Sequence, residues 1–291
     1  MPVSVVFGAS GAVGRFLLPR LLAEGHEVVA LSREVRTSTH PALRWVLGEL
    51  PSRVPALPAA DTIFSLGPLE AFAAWFAVSA DAQASGVVAI GSSSAETKKT
   101  SVDPAERALA ERLREAERRL AAAADARGVA SVVLRPTLIY GAGLDRSLTP
   151  ITRFARRTRV FPYVAPARGL RQPVHADDLA GACVALAHAS RLRQRVYEVG
   201  GGERVAFGVM LARVRESLPF ATIALPLPVA LARIGAALPF RPAAFRAASR
   251  AALERLREDL VVDDAAAAAD FGWAPRDFRP TPADWTTPAL P

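Results

Sequence analysis

The chain begins with a short apolar segment that leads into a glycine-rich turn. The segment Val3–Phe7 is rich in β-branched residues, and the turn carries three glycines in the pattern G-x-x-G-x-x-G before a helix-forming stretch. A buried strand, a tight turn and a helix start suit the pyrophosphate of a dinucleotide, because glycines let the backbone approach phosphates and helical amides meet the negative charge. The spacing is not G-x-G-x-x-G, so the prediction also depends on the position of the turn between strand and helix. The residues predicted to contact the phosphates are Gly8, Ser10, Gly11, Ala12, Val13, Gly14 and Arg15.

Strand patterns alternate with helical patterns along the first two thirds of the chain. Strands after the first are predicted at 27–33, 43–47, 61–66, 87–91, 131–134 and 195–199. The clearest helix is 104–124, with Asp103 as its cap and Pro104 in its first turn. This alternation predicts an α/β fold with a doubly wound parallel sheet, the Rossmann fold.

The composition excludes several classes of protein. With one cysteine, Cys183, the chain can form no internal disulfide or cysteine-based metal cluster, and its four histidines lack metal-ligand spacing, so no metal site is predicted. The net charge is +8, but nearly all of the positive charge is arginine in an alanine-rich chain, which fits a bacterial, GC-rich genome. No stretch combines aromatic and basic residues, so nucleic-acid binding is not expected. The start of the chain is typical of a strand rather than a secretion signal, which predicts a cytoplasmic protein.

The character of the sequence changes after about residue 140. We expect residues 1–202 to form the dinucleotide-binding domain, with 141–172 contributing to a smaller, mostly helical substrate lobe made by 203–291. The segment Pro219–Phe240 is almost wholly apolar and about as long as a membrane span, but its prolines and Arg233 argue against spanning. We therefore predict no membrane span, and interpret the segment as a lid over an apolar substrate or as core.

Four further motifs follow the glycine turn in order. They are Gly91–Ser94, Leu134–Gly141, Arg171–Ala180 and Tyr197–Gly201. Together with the turn, they make the chain resemble the short-chain dehydrogenase/reductase superfamily in its extended and atypical, epimerase/dehydratase-like branches. The resemblance covers nearly the whole chain and implies a nicotinamide dinucleotide cofactor. It also implies a catalytic role for Ser94 and adds cofactor-binding residues, which are Leu66, Gly67, Ser92, Pro136 and Thr137.

The end of the second strand indicates which cofactor is bound. NAD-binding proteins place an acidic residue there for the ribose hydroxyls, whereas NADP-binding proteins place a basic group. Here the strand ends in Ser32 and Arg33, and an acid follows only at Glu34. A guanidinium matches a phosphate in bidentate fashion, and Ser32 adds a hydroxyl. The sequence therefore predicts NADP rather than NAD, with Arg15 as a second candidate for a phosphate contact.

The Tyr-x-x-x-Lys pair of most catalytic members is absent. The chain has three tyrosines, and none is followed by a lysine four residues later. Aligning 114–117 with the usual helix sequence of the superfamily places Leu109 and Leu113 near the missing pair, to within one residue. Neither leucine can move a proton or bind a ribose hydroxyl.

Three hypotheses about activity follow. In the first, the protein is an oxidoreductase with another proton donor, for which Ser94 and Lys98 or Lys99 are the candidates. In the second, a quinone-like or conjugated acceptor takes its proton from water, since the cofactor carries the hydride chemistry. In the third, the protein binds NADP(H) without turnover, as a sensor or a structural or assembly protein. A nucleotide-sugar epimerase or dehydratase is a further alternative, although an epimerase must remove a hydroxyl proton.

The predicted partner is a small-molecule substrate, either anionic or hydrophobic. In the sugar-nucleotide members, an arginine at the position of Arg171 binds the substrate pyrophosphate, and several arginines precede it here. The apolar segment Pro219–Phe240 favours a hydrophobic ligand instead, so the two signals conflict. We predict structural roles for His175, Asp177 and Asp178, because a histidine followed by acids forms no catalytic triad. The protein is expected to be a monomer or a homodimer.

Overall fold

Seven parallel strands form the centre of the structure. The computed structural model describes residues 1–79, 82–165, 168–189, 191–228, 256 and 258–291. The strands of the central sheet are β1 (Val3–Phe7), β2 (Glu27–Ser32), β3 (Leu43–Leu47), β4 (Ala60–Ser65), β5 (Ala84–Ile90), β6 (Ala130–Pro136) and β11 (Val196–Val199). Their order is β3-β2-β1-β4-β5-β6-β11, so strands are added on both sides of β1. The predicted doubly wound parallel sheet is confirmed, and each predicted strand lies within a few residues of its observed bounds.

Helices cover both faces of this sheet. Helices α1 (Gly14–Ala23) and α6 (Ala176–His188) pack together on one face, and α2 (Leu69–Val78) and α4 (Pro104–Asp125) pack together on the other. The other α-helices in the described part of the chain are α3 (Ser94–Thr97), α5 (Thr149–Thr158), α7 (Phe207–Glu216) and α8 (Ala265–Phe271). Each face has its own apolar core, with Leu17 and Leu179 in the first and Phe72 and Leu120 in the second. The strands are apolar because both of their faces are covered.

Helix α4 shows how the local sequence sets an element. The Asp103 carboxylate accepts the amide of Ala105 at 2.8 Å, and Pro104 occupies the first turn, where its missing amide has no cost. On the buried face, Glu117 accepts two hydrogen bonds from Arg135 on β6, at 2.8 and 2.6 Å. The predicted helix 104–124 is confirmed to within one residue, and a buried ion pair fixes it to the sheet.

Short strand pairs recur in the second half of the chain. They are β7 (Ile139–Tyr140) with β10 (Val174–His175), β8 (Val160–Ala165) with β13 (Ile223–Pro228), and β9 (Leu170–Arg171) with β12 (Val205–Ala206). A third apolar core joins Leu148 and Phe161 to Met210 and Phe278. Residues from 141–172 and from beyond 203 therefore share one core. The domain boundary at residue 202 stays an interpretation.

The apolar segment Pro219–Phe240 is described only as far as residue 228. This part contains β13, a strand that the sequence analysis did not foresee. Pro226 and Pro228 cannot donate the amides that a helix interior needs, whereas a strand in a two-stranded pair tolerates them. Residues 229–240, on which the lid interpretation depends, lie outside the described residues. Within the described part of the chain, no helix is long and apolar enough to cross a membrane.

The last described segment returns to the central sheet. Tyr197 on β11 donates to Asp270 of α8, and the indole of Trp273 donates to the carbonyl of Gly200 at 3.1 Å. A 3-10 helix follows at Pro282–Trp285. These contacts connect the end of the described chain to the carboxyl end of β11.

Asp177, in the first turn of α6, connects three parts of the chain. Its carboxylate accepts from Arg20 of α1 at 2.6 Å and from Arg276 at 2.8 Å, and Arg276 also binds the neighbouring Asp178. Burial alone would raise the pKa of Asp177, but the hydrogen bonds from the two arginines outweigh it and hold this pKa below its usual value. The predicted structural roles of Asp177 and Asp178 agree with these contacts.

We expect Asp177→Asn to lower the free energy of unfolding by about 1 kcal/mol near neutral pH. Folding lowers the pKa of Asp177. The ionised carboxylate therefore contributes its full share to the free energy of unfolding above its pKa in the unfolded state, about 4. This contribution is lost as the pH falls through the lower pKa of the folded state. Urea unfolding at neutral pH and at about pH 3 should show the gap between wild type and variant closing at the lower pH. The control is Asp277→Asn, which removes an exposed carboxylate 3.7 Å from Arg279 and should change little. A gap of equal size at both pH values would contradict the prediction.

Candidate functional site

The predicted cofactor-binding residues follow the carboxyl ends of neighbouring strands. The glycine turn follows β1, and Ser32 is the last residue of β2. The other members follow or end β4, β5 and β6, and are Leu66, Gly67, Ser92, Pro136 and Thr137. Because parallel strands end at the same edge of a sheet, the topology brings all of these residues to one edge. The strand order reverses at β1, because β2 lies on one side of it and β4 on the other. Open α/β sheets bind ligands at the carboxyl edge beside such a switch point.

Two positions in the turn require glycine. Gly8 has a φ of +76°, and a Cβ there would lie 2.9 Å from the amide nitrogen of Gly67. At Gly14, the first residue of α1, a Cβ would overlap the carbonyl of Ala9. Glycine therefore permits the left-handed turn beside the end of β4, and it lets the helix pack directly on the turn.

Gly11 faces the open side of the turn. A Cβ there would meet the carbonyl oxygen of Gly8 at 3.0 Å and no other described atom within 4 Å. Among the described residues, the amides of Ala12, Val13 and Gly14 donate to no backbone carbonyl. Open space beside a glycine, next to available amides at a helix start, fits the pyrophosphate of an NAD(P)-type dinucleotide.

The ribose end of the site, which is the end of β2 and the loop after it, carries an arginine that was not selected from the sequence, Arg36. The Ser32 hydroxyl accepts from the amide of Glu34 at 3.1 Å and from Nε of Arg36 at 3.0 Å. Arg36 also pairs with Glu34 at 2.6 Å and lies 5.7 Å from the ring centre of Trp45. Arg33, the residue chosen from the sequence, is exposed and forms no ion pair with any described residue. Arg36 lies beyond the end of β2, so a rule that inspects only strand ends misses it.

A second guanidinium lies near that of Arg36. Arg15, in the first turn of α1, donates through Nε to the carbonyl of Ser10 at 3.2 Å. Burial and the nearby charge of Arg36 both lower the pKa of Arg15. Two like charges that lie near each other favour an anionic ligand, because an anion offsets their repulsion and accepts their hydrogen bonds.

The end of the described chain lies against the same edge. Arg15 also donates to the carbonyl of Pro288, and the Ser38 hydroxyl donates to the carbonyl of Pro291 at 3.2 Å. Leu290 packs against the core that contains α1. Residues 288–291 therefore form one wall of the ribose end. The sequence carried no signal for this wall, because the contact joins residues 273 positions apart.

The serine motif after β5 lies beside the end of β6. The amide of Ser93 donates to the carbonyl of Pro136 at 3.0 Å, and the amide of Ser94 donates to the Ser92 hydroxyl at 3.2 Å. Ser94 begins helix α3, which packs on α4. Its place at the carboxyl edge is the one that the resemblance implies, and its catalytic role stays a prediction.

Lys98 lies against the first turn of α4. Its ammonium is 3.7 Å from Oε1 of the buried Glu106, whose Oε2 accepts from the Ser101 hydroxyl at 2.8 Å. This contact holds the ammonium group in an ion pair with a buried carboxylate. The role of Lys98 as a proton donor stays a prediction.

The two positions expected to move protons on α4 hold leucine in a packed setting. Leu113 is 7% exposed and belongs to the buried face of the helix, and Leu109 is partly buried. Two of the tyrosines cannot serve as the missing proton donor, because Tyr140 is buried and the Tyr197 hydroxyl donates to Asp270. Burial raises the pKa of Tyr140 further above neutrality. Helix α4, which is described over its full length, contains no tyrosine or lysine that could replace the missing pair.

Arg171, the predicted substrate ligand, is buried in the smaller lobe. It is 5% exposed, and its guanidinium lies 5.1 Å from the ring centre of Phe207. It donates to the carbonyls of Leu170 and Glu258, at 2.7 and 2.8 Å. Arg171 is therefore held in the packing of β9 against the final segment, and contact with a substrate stays a prediction.

Thr137 and His175 connect loops near the end of β6. The Thr137 hydroxyl donates to the carbonyl of Gln172. His175 Nδ1 accepts the amide of Asp177 at 3.1 Å, so its Nε2 carries the proton shared with Asp284 at 2.9 Å. These bonds fix the imidazole between α6 and the final segment, in agreement with the structural role predicted for it.

Solved structures of proteins that bind or act on nucleotide sugars are similar to the chain over nearly its full length. A UDP-glucuronic acid 4-epimerase from Bacillus cereus, in complex with NAD, has a TM-score of 0.72 at 11% identity, covering 97% of this chain and 96% of that chain. MoeE5 in complex with UDP-glucuronic acid and NAD has a TM-score of 0.67 at 22% identity, covering 94% of each chain. TunA, an NAD dependent NDP-hexosamine 5,6-dehydratase, has a TM-score of 0.65 at 15% identity, covering 94% of this chain and 91% of that chain. At these identities the likeness shows a shared fold.

The sequence itself also matches a family model. No curated protein matches it at a significant level. The model of the NAD dependent epimerase/dehydratase family matches twice, over residues 4–111 and 82–200, which together cover more than half of the chain. These ranges contain the glycine turn and the whole central sheet, and they confirm the resemblance drawn from the sequence motifs. The chain belongs to the NAD dependent epimerase/dehydratase family.

Proposed function

We propose that the protein is an NADP(H)-dependent oxidoreductase that works without a side-chain proton relay on α4. The observation that carries this proposal is the pair Leu109 and Leu113, which occupies the expected Tyr and Lys positions. An apolar pair cannot take a proton from a hydroxyl group, and removal of that proton is what a sugar epimerase requires. The glycine turn, in contrast, supports dinucleotide binding, because its open side lies next to available amides at the start of α1.

The choice of NADP over NAD rests on the guanidinium of Arg36 beside Ser32 and on that of Arg15 near Arg36. Arg36 donates to the Ser32 hydroxyl at 3.0 Å, and Arg15 is close enough that the charge of Arg36 lowers its pKa. The 2′-phosphate that distinguishes NADP carries the negative charge that this arrangement favours. Two of the solved structures described above hold NAD, so this basic pair would distinguish the present chain from them.

The residues at the carboxyl edge bind and orient rather than transfer protons. Bound NADP(H) supplies or accepts a hydride. The amides at the start of α1 would hold the pyrophosphate, and Ser32, Arg15 and Arg36 would hold the ribose phosphate. Without a phenol on α4, the favoured acceptors are those that take their proton from water, such as quinone-like or conjugated carbonyl compounds.

A nucleotide-sugar epimerase or dehydratase is the second candidate. The comparisons favour it, because the similar structures are a UDP-sugar epimerase, an NDP-hexosamine dehydratase and a protein that binds UDP-glucuronic acid. It requires a proton-transfer group at a position other than Leu109, and Ser94 is the candidate at the same edge of the sheet. NADP(H) binding without turnover is the third candidate.

We expect Gly11→Ala to weaken NADPH binding about tenfold or more, because the added Cβ enters the open side of the turn that would face the pyrophosphate. Gly181→Ala is the matched control, since a Cβ at this helical position has no neighbour within 4 Å. Fluorescence titration with NADPH measures affinity, and thermal unfolding checks that both variants fold. Equal affinities in the two variants would remove the pyrophosphate site from the turn.

Arg36→Ala should raise the dissociation constant of NADPH about tenfold or more and change that of NADH by less than about twofold. The reason is the loss of a charge-assisted hydrogen bond that only the 2′-phosphate accepts. Arg33→Ala, at the exposed position chosen from the sequence, should have the smaller effect. Competitive titration with both cofactors gives the ratio, and losses of equal size for NADPH and NADH would overturn the NADP assignment.

The test of the reaction itself uses the purified full chain. NADPH oxidation is followed with quinones, conjugated aldehydes and ketones, and UDP-keto-sugars, while interconversion of UDP-sugars is followed by chromatography. Turnover with quinones or conjugated carbonyl compounds supports the proposal. Interconversion of UDP-sugars supports the second candidate, and tight NADPH binding without turnover on either panel supports the third.

A further inference from the structure

The structure brings together three potential metal ligands at the edge of the sheet opposite the glycine turn. They are Glu24, His26 and His188, and their ligand atoms all lie within 4.8 Å of one another. Glu24 follows the last residue of α1, His26 directly precedes β2, and His188 is the last residue of α6. We propose that these three side chains bind a divalent transition-metal ion of the zinc class. The site is separate from the dinucleotide edge, and the proposal does not depend on the function proposed above.

The distances suit a small ion with minor adjustment. Glu24 Oε2 lies 3.0 Å from Nε2 of His188 and 3.7 Å from Nε2 of His26. Ligands bound at about 2.0–2.2 Å in tetrahedral geometry are separated by roughly 3.3–3.6 Å, so side-chain rotation suffices to close the set. Two imidazoles and one carboxylate match the preferences of Zn²⁺, Co²⁺ and Ni²⁺ rather than those of Mg²⁺. The exposure of Glu24 and His188 leaves room for water as a fourth ligand.

A buried hydrogen bond orients the central ligand. The hydroxyl of Ser4, on β1, lies 2.8 Å from Nδ1 of His26, and both residues are buried. This contact leaves Nε2 of His26 pointing toward Glu24. Metal-binding histidines commonly hold their second nitrogen in such a bond, which fixes the ring and its tautomer. An ion pair between Glu24 and His188 alone would not require this orientation of His26.

The local electrostatics also favour a cation. The site lies at the carboxyl ends of α1 and α6, where helical carbonyls carry partial negative charge. Bound metal would join the ends of two helices that pack together on one face of the sheet.

The proposal is tested on untagged, chelator-treated protein. Calorimetric titration with Zn²⁺ should give one site, thermal unfolding should shift upward with Zn²⁺, and Co²⁺ should give the visible absorption of a nitrogen- and oxygen-ligated ion. Mg²⁺ should do none of these. No saturable Zn²⁺ site in the wild type would overturn the proposal.

Variants at the two exposed ligands identify the site without disturbing the core. Glu24→Gln and His188→Ala should each weaken Zn²⁺ binding about tenfold or more, while retaining the unfolding temperature of metal-free wild type. His40→Ala is the matched control, because this histidine is exposed and outside the cluster. Two results would refute the assignment and place the ion elsewhere. One is unchanged Zn²⁺ affinity in the Glu24 and His188 variants, and the other is an equal loss of affinity in the His40 variant.

Discussion

The close approach of helix α1 to the turn after β1 is the constraint on which the rest of the site depends. At Gly14 no side-chain atom fits between the helix and Ala9, and at Gly8 the backbone turns with a φ of +76° beside the end of β4. The close contact between Gly14 and Ala9 places the first amides of α1 at the carboxyl edge of the sheet, next to the ends of β2 and β4. A side chain at Gly14 would displace the helix, and with it Arg15 and the core formed by Leu17 and Leu21. A side chain at Gly8 would instead press on the backbone of Leu66 and Gly67 after β4.

In helix α4, the residues that hold the helix to the sheet differ from those at the expected catalytic positions. Glu117 keeps its two hydrogen bonds to Arg135, and the apolar face keeps its packing against the sheet. The positions that would handle protons hold Leu109 and Leu113 instead, and the helix loses nothing in stability, since leucine is both a good helix former and a good core residue. A fold can therefore persist while the reaction that it supports changes, and the family relationship does not determine the activity.

The features predictable from the sequence are those encoded by neighbouring residues. The strands, the glycine turn and helix 104–124 follow from local periodicity, capping and turn chemistry, and the structure confirms them. Arg36 could not be selected in this way, because its contact with Ser32 depends on the path of the loop after β2. The cluster of Glu24 and His188 spans 164 positions and exists only once α1 and α6 have packed. Burial of Arg171 likewise depends on a segment that arrives much later in the chain.

The wall formed by residues 288–291 gives the two ends of the described chain different surroundings. Met1 lies near the amino edge of the sheet, just before β1, whereas Pro291 lies beside Ser38 at the carboxyl edge. An affinity tag or fluorescent protein fused after Pro291 would therefore emerge next to Arg15 and the ribose end. The same fusion placed before Met1 would lie a full strand length away, about 17 Å from that edge. The choice of fusion end is thus part of the design of any binding assay on this protein, and attachment at the amino terminus leaves the glycine turn unobstructed.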